Sequence, residues 1–132
     1  MKMIADTNVL LRFVLGDDPE QYELALDTME KSEAVVVTNH ALCEMAWVLR
    51  SSYGVSRSAI AATIRGLVET RNVVLDSAAV NSGLTTLEAG ADFADGVIAY
   101  QGQWLGGDTF VSFDKKAVAA MAKQGMQTRL LA

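Results

Sequence analysis

Cysteine, proline and histidine each occur only once in this chain. A single cysteine excludes an internal disulfide framework, and one Cys with one His cannot build a structural zinc site. No apolar run approaches the roughly 18 residues that span a membrane. The N-terminal stretch MKMIADTNVLLRF has no long apolar run before its first Asp, so no signal peptide is expected. No Gly-rich loop ending in GKS or GKT is present, which excludes a P-loop nucleotide triphosphatase. No linker, internal repeat or low-complexity tract interrupts the sequence. What is present is a chain of 132 residues, 51% hydrophobic and 20% charged. That composition excludes the disordered and fibrous classes, and that length supports a core without disulfides or metals. The expectation is one soluble, cytoplasmic domain over 1–132.

The net charge of −5 argues at first against a nucleic-acid partner. Its distribution changes that reading. Asp17, Asp18, Glu20, Glu23, Asp27, Glu30 and Glu33 lie within residues 17–33, opposed only by Lys31. Of sixteen acids seven lie there, with one of eleven bases, so the remainder carries nine acids and ten bases, a net of +1. An anionic substrate is therefore compatible with the rest of the surface.

Strand-like and helix-like stretches alternate. Lys2–Ala5 reads as a first strand, followed by an apolar segment from Asp6 to Leu15. Asp18-Pro19 is a strong helix start, with Asp as N-cap and Pro at the first helical position; the helix should reach about Ser32. Leu24, Leu26 and Met29 supply its apolar positions. Ala34–Thr38 is a short β-branched run and a buried strand. Asn39 is expected to cap a helix to about Tyr53, stopped by Gly54. Ser56 caps another to about Thr70. Asn72–Leu75 is a strand, Asp76 or Ser77 caps a helix ending near Gly90, and Asp92 starts one to about Gln103. Thr109–Phe113 is a strand, Asp114 caps a helix to about Lys123, and Gln127–Leu131 is a fifth strand. Strands joined by helices imply crossover connections and a parallel sheet. The fold class is α/β: three layers, α/β/α, around a central, mostly parallel sheet of about five strands.

Ligands of open parallel sheets bind beyond the carboxyl ends of the strands. Asp6 directly follows the first strand and Asp114 the fourth. Glu44 lies in the second turn of the helix leaving AVVVT, alone among Leu42, Cys43, Met45, Ala46 and Trp47. Asp92 and Asp95, three apart in one helical turn, share a face. Clustered carboxylates repel one another, and a divalent cation removes that conflict. Oxygen donors without His or Cys suit Mg²⁺ or Mn²⁺ rather than Zn²⁺. Such a site suits phosphodiester hydrolysis by a metal-activated water.

The segments MIADTNVLLR, Asp17-Asp18-Pro19-Glu20-Gln21, ALCEMAWVLRSSYG, ADFADGVIAY and FVSFDKK, in this order, resemble a PIN domain. The likeness is to the VapC-like ribonuclease toxins of bacterial toxin–antitoxin pairs, and it covers essentially the whole chain. The resemblance implies an acidic quartet at Asp6, Glu44, Asp95 and Asp114, holding Mg²⁺ with Mn²⁺ as substitute. It implies an accessory acid at Asp92, an orienting Asn8 beside the first acid, and a hydroxyl residue at Ser112. It implies an RNA substrate, a cognate antitoxin that covers the site, a homodimer, and operator DNA bound only through the antitoxin complex. Gly96 and Tyr100-Gln101 depart from the small, Ala-rich residues usual after the third acid, which bears on the substrate groove.

Plainer roles stand beside these. Asp6 and Asp114 could simply cap helices. Glu44 could pair with Arg50 or Arg12. Asp92 and Asp95 sit where the helix dipole favours acids, Asn8 could be turn chemistry, and Ser112 a packed strand residue. His40 is expected at the surface or in a cap, Cys43 as a small buried hydrophobe, and Trp47 and Trp104 in a core or interface. Arg12, Arg50, Lys115 and Lys116 could guide phosphates. The rival functions are a non-catalytic interaction module of the same fold and another Mg²⁺-dependent phosphoryl hydrolase. Against an aspartyl-nucleophile phosphatase, position 8 is Asn rather than a second Asp.

Overall fold

The computed structural model describes residues 1–132. Its elements run β1 (Lys2–Ile4), α1 (Thr7–Leu15), α2 (Pro19–Lys31), β2 (Ala34–Val36), α3 (Asn39–Ser51) and α4 (Arg57–Glu69). They continue with β3 (Val73–Val74), α5 (Ser77–Glu88), α6 (Phe93–Trp104), β4 (Thr109–Ser112), α7 (Lys115–Lys123) and β5 (Gln127–Leu130). All strand pairs are parallel, so the α/β class read from the alternation holds.

Local chemistry sets most boundaries. The Asp18 carboxylate accepts from the Gln21 N–H with Pro19 behind it, and Ser56 and Asp76 cap α4 and α5 in the same way. The apolar segment after Asp6 is a nine-residue helix, ended by Gly16 at φ 61°, a conformation that costs a glycine little. The expected cap of α3 is corrected: Thr38, not Asn39, accepts from the Ala41 N–H, and Asn39 is already helical. The helix ends at Ser51, ahead of Gly54.

The sheet differs from the expected arrangement. There are five strands, but β1-β2-β3 form one sheet and β4-β5 a second. Two separate cores account for this division. The larger joins Val35 and Val37 to Leu10 of α1, Leu42 and Met45 of α3, Ile60 and Ile64 of α4, Val80 and Leu84 of α5, and Phe93 of α6. The smaller joins Ala91, Ala99, Ala117, Ala120 and Met121, with Phe110 of β4 packed on it. The β4-β5 pair is thus anchored through α7 rather than through a ladder to β1. Ile4 at the end of β1 and Phe113 just after β4 stay 76% and 78% exposed.

The α5–α6 hairpin links the two cores. Phe93 closes over Gly83, and Gly96 lies against the Ser82 carbonyl and the Thr86 hydroxyl, with no room for a Cβ. The Ser82 Oγ donates to the Gly96 carbonyl at 2.9 Å. Gly96 is therefore a packing residue. In α2, Ala25 and Met29 are buried while Leu24 faces outward. Trp47 and Trp104 are not core residues, being 61% and 76% exposed. No helix is long and apolar enough to cross a membrane.

Candidate active site

The end of β1 places Asp6 at the N-terminus of α1. One carboxylate oxygen, Oδ1, accepts from the Thr7 backbone N–H at 2.9 Å. The Thr7 hydroxyl reaches across to α3 and donates to Glu44 Oε1 at 3.1 Å. His40, one turn earlier on α3, brings Nε2 within 3.0 Å of the same oxygen. Glu44 is paired with neither Arg12 nor Arg50; Arg12 instead meets Asp17 at 2.9 Å. Residues 6 and 44 thus come together through Thr7, which the sequence reading passed over. A Thr in the first turn of a helix that leaves the strand end was the available signal.

A second acidic group gathers around Asp95. This carboxylate is half-buried, and its pKa is raised, first by burial, then by the charge of Asp92, and further by that of Asp114; a hydrogen bond from the Asp92 backbone works the other way. Asp92 is the N-cap residue of α6 but makes no side-chain cap bond, so helix capping does not account for its carboxylate. Asp114 does cap α7: Oδ1 accepts from the N–H groups of Lys116 at 2.9 Å and Ala117 at 3.3 Å. Ser112 turns its hydroxyl onto the Asp114 N–H at 2.9 Å, which fixes the start of that cap. Cys43 of α3 lies near Asp95. Burial first and the Asp95 charge second push its thiol up to about 11. A thiol so weakly acidic is no nucleophile at neutral pH.

Asn8 goes elsewhere. It lines a cleft of about 340 Å³ between α1 and α2, with Val9, Arg12, Gln21 and Leu24, and makes no hydrogen bond to any of the acids. Hydrogen bonds thus link Asp6 with Glu44 through Thr7, and charge links Asp95 with Asp92 and Asp114. No three Asp, Glu, His or Cys side chains converge closely enough to cage an ion.

A divalent ion nevertheless fits the chemistry of these donors. No ion pair to Lys or Arg neutralises any of the five carboxylates. Asp95 carries the mark of that imbalance in its raised pKa. Mg²⁺ needs only one or two protein carboxylates and completes its shell with water and phosphate oxygens. The capping bonds occupy Oδ1 of Asp6 and of Asp114, and the second oxygen of each has no protein donor. Both residues are exposed, so this is an open surface and not an enclosed pocket. Lys115 and Lys116 stand exposed immediately beside Asp114.

An α/β domain with unpaired carboxylates on an open surface has the donor chemistry of a divalent-metal site. The chain is a member of the PIN domain family, whose model matches residues 3–123. PIN domains are in general Mg²⁺-dependent nucleases, which supports a nuclease activity here. No curated protein and no solved structure matches the chain.

Proposed function

We propose that this chain is an endoribonuclease toxin of the VapC-like kind. In this reading it hydrolyses RNA phosphodiester bonds with Mg²⁺ or Mn²⁺ and is held inactive by a cognate antitoxin. The observation that supports it best is the half-buried Asp95, whose negative surroundings from Asp92 and Asp114 no protein cation balances. Asp6, Glu44, Asp95 and Asp114 are the residues that would hold the metal. The bound ion supplies charge neutralisation and a water of lowered pKa.

The chain's own residues do the rest. Ser112 orients Asp114 by fixing its backbone N–H. Lys115 and Lys116 attract the phosphate backbone to the open edge. Hydrolysis adds water across the scissile phosphate, breaks the P–O3′ bond, and leaves a 5′-phosphate and a 3′-hydroxyl. The homodimer, the antitoxin, operator binding through the antitoxin complex and a cytoplasmic location belong to the same proposal and rest on the resemblance.

The test is cleavage of total cellular RNA by purified, antitoxin-free protein with Mg²⁺, with Mn²⁺ and with EDTA, beside Asp6→Ala prepared identically. Discrete fragments that require metal and vanish in the variant are expected. That no three Asp, Glu, His or Cys side chains converge to hold an ion favours one rival, a non-catalytic interaction module. Absence of cleavage with metal binding intact would support that rival, and absence of both would sink the carboxylate site.

A further inference from the structure

The geometry assigns Thr7 as a positioning residue that sets the carboxylates of Asp6 and Glu44 with respect to each other. This inference rests on the metal-site reading above and adds to it a residue outside the acidic set.

Thr7 acts with two groups in two directions. Its backbone N–H donates to Asp6 Oδ1 at 2.9 Å, and its hydroxyl donates to Glu44 Oε1 at 3.1 Å. The first bond is local and any residue but proline supplies it. The second joins residues 37 apart in sequence, on different helices, so it is not a turn or capping contact. It lies where α1 packs on α3. It is also the only hydrogen bond that ties the chain around Asp6 to Glu44.

The consequence lies in the oxygens left over. Glu44 Oε1 is engaged by Thr7 and approached by His40, while no protein donor reaches Oε2. At Asp6, Oδ1 is engaged and Oδ2 is not. One residue thus pins one oxygen of each acid and leaves the other oxygen of each to an incoming cation. His40 cannot replace it, because its side chain is 85% exposed and is held by α3 alone. Thr7 is partly buried and belongs to the element that carries Asp6.

The decisive comparison is Thr7→Val, which keeps the shape and removes the hydroxyl, against Thr7→Ser, which keeps the hydroxyl and removes the methyl. Binding of Mn²⁺ to each full-length protein is measured by calorimetry without RNA, and thermal unfolding is measured in EDTA. Partners that orient a metal-binding carboxylate are typically worth about 10- to 100-fold in affinity, so Thr7→Val should lose at least about tenfold in Mn²⁺ affinity. Thr7→Ser should stay within about threefold of the parent, and both variants should keep a cooperative unfolding transition in EDTA, Thr7→Val at a somewhat lower temperature because it lacks the hydrogen bond. Should Thr7→Val not fold, Thr7→Ala against Thr7→Ser makes the same comparison. Equal Mn²⁺ affinity in the parent and Thr7→Val overturns the positioning role and leaves the metal site standing. Equal loss in Thr7→Val and Thr7→Ser also overturns it, since packing of the methyl then accounts for the effect. A parent chain that binds no Mn²⁺ removes the metal site, and the role of Thr7 falls with it.

Discussion

Asp95 is the residue at which folding and the proposed activity pull in opposite directions. Its raised pKa means that the folded chain holds the carboxyl proton more tightly than the unfolded chain does. The sign follows by linkage: stability from this group is greatest when it is protonated and is lost as pH rises from the ordinary carboxylate value through the raised one. At neutral pH, without metal, ionised Asp95 is a cost. Asp95→Asn should therefore raise the unfolding midpoint in EDTA at pH 7, and the gain should shrink toward acid pH, where the parent is itself neutral. The same change should lower Mn²⁺ affinity by at least about tenfold, since even partners behind a ligand are worth that much. Melting curves at pH 7 and at acid pH, with calorimetry, check both halves. A fall in stability at pH 7 would mean that the carboxylate is structural.

Cys43 gives a second prediction at this scale, because its thiol is pushed up to about 11 by burial and by Asp95. Iodoacetamide at pH 7.5 should modify it on the order of 100-fold more slowly than a free thiol, whose pKa is about 8.5. Stability should also decline as pH climbs from the ordinary thiol value toward about 11, since only the unfolded chain ionises readily in that window. Rapid alkylation at pH 7.5 would show that Cys43 is neither buried nor shadowed by Asp95.

Helix α6 carries two glycines whose contrast tests the packing of the α5–α6 hairpin. A Cβ at Gly96 would run into the Ser82 carbonyl, the Thr86 hydroxyl and Gly83, whereas one at Gly102 meets nothing within 4 Å. Gly96→Ala should cost about 1–3 kcal/mol by overpacking. Gly102→Ala should stabilise by about 0.5–1 kcal/mol by restricting the unfolded chain. Thermal or urea unfolding of the two variants should move in opposite directions. Equal effects would mean that the hairpin is looser than its geometry.

Elements were legible in the sequence where their determinants are local. Asp18-Pro19, Ser56, Asp76 and Asp114 announce helix starts because a cap acts over three residues. Thr38 was missed because Asn39, the next residue, is an equally good cap by type. Pairing was harder. Nothing local states whether β4 lies against β1, and its place is decided by Phe110 and α7 packing on Ala91 and Ala99. The same distinction runs through the candidate site. Asp6 and Asp114 could be read from their place at strand ends. The link between Asp6 and Glu44 depends on a hydroxyl contact across 37 residues that no spacing reveals.

At the scale of the whole molecule, charge is divided between a strongly acidic α2 region and a remainder of net +1. The unpaired carboxylates sit in that remainder. The only ion-pair partner for any of the five is His40 on Glu44, so the folded chain holds a concentration of like charge that the unfolded chain disperses. A divalent ion that binds here binds the native state and stabilises it by mass action. At a hundredfold excess over Kd the gain is about 2.7 kcal/mol. With entropy of unfolding near its usual value per residue, that raises Tm by about 10 °C for a chain of this length. Titration with Mn²⁺ should show this rise, EDTA should reverse it, and Asp6→Ala should blunt it while keeping a cooperative transition. Na⁺ at matched ionic strength should give a much smaller rise, because screening weakens repulsion between carboxylates without coordinating any of them. If Na⁺ gives the same rise as Mn²⁺, the like charge is real but no ion site exists, and the acids of this fold have no metal to hold.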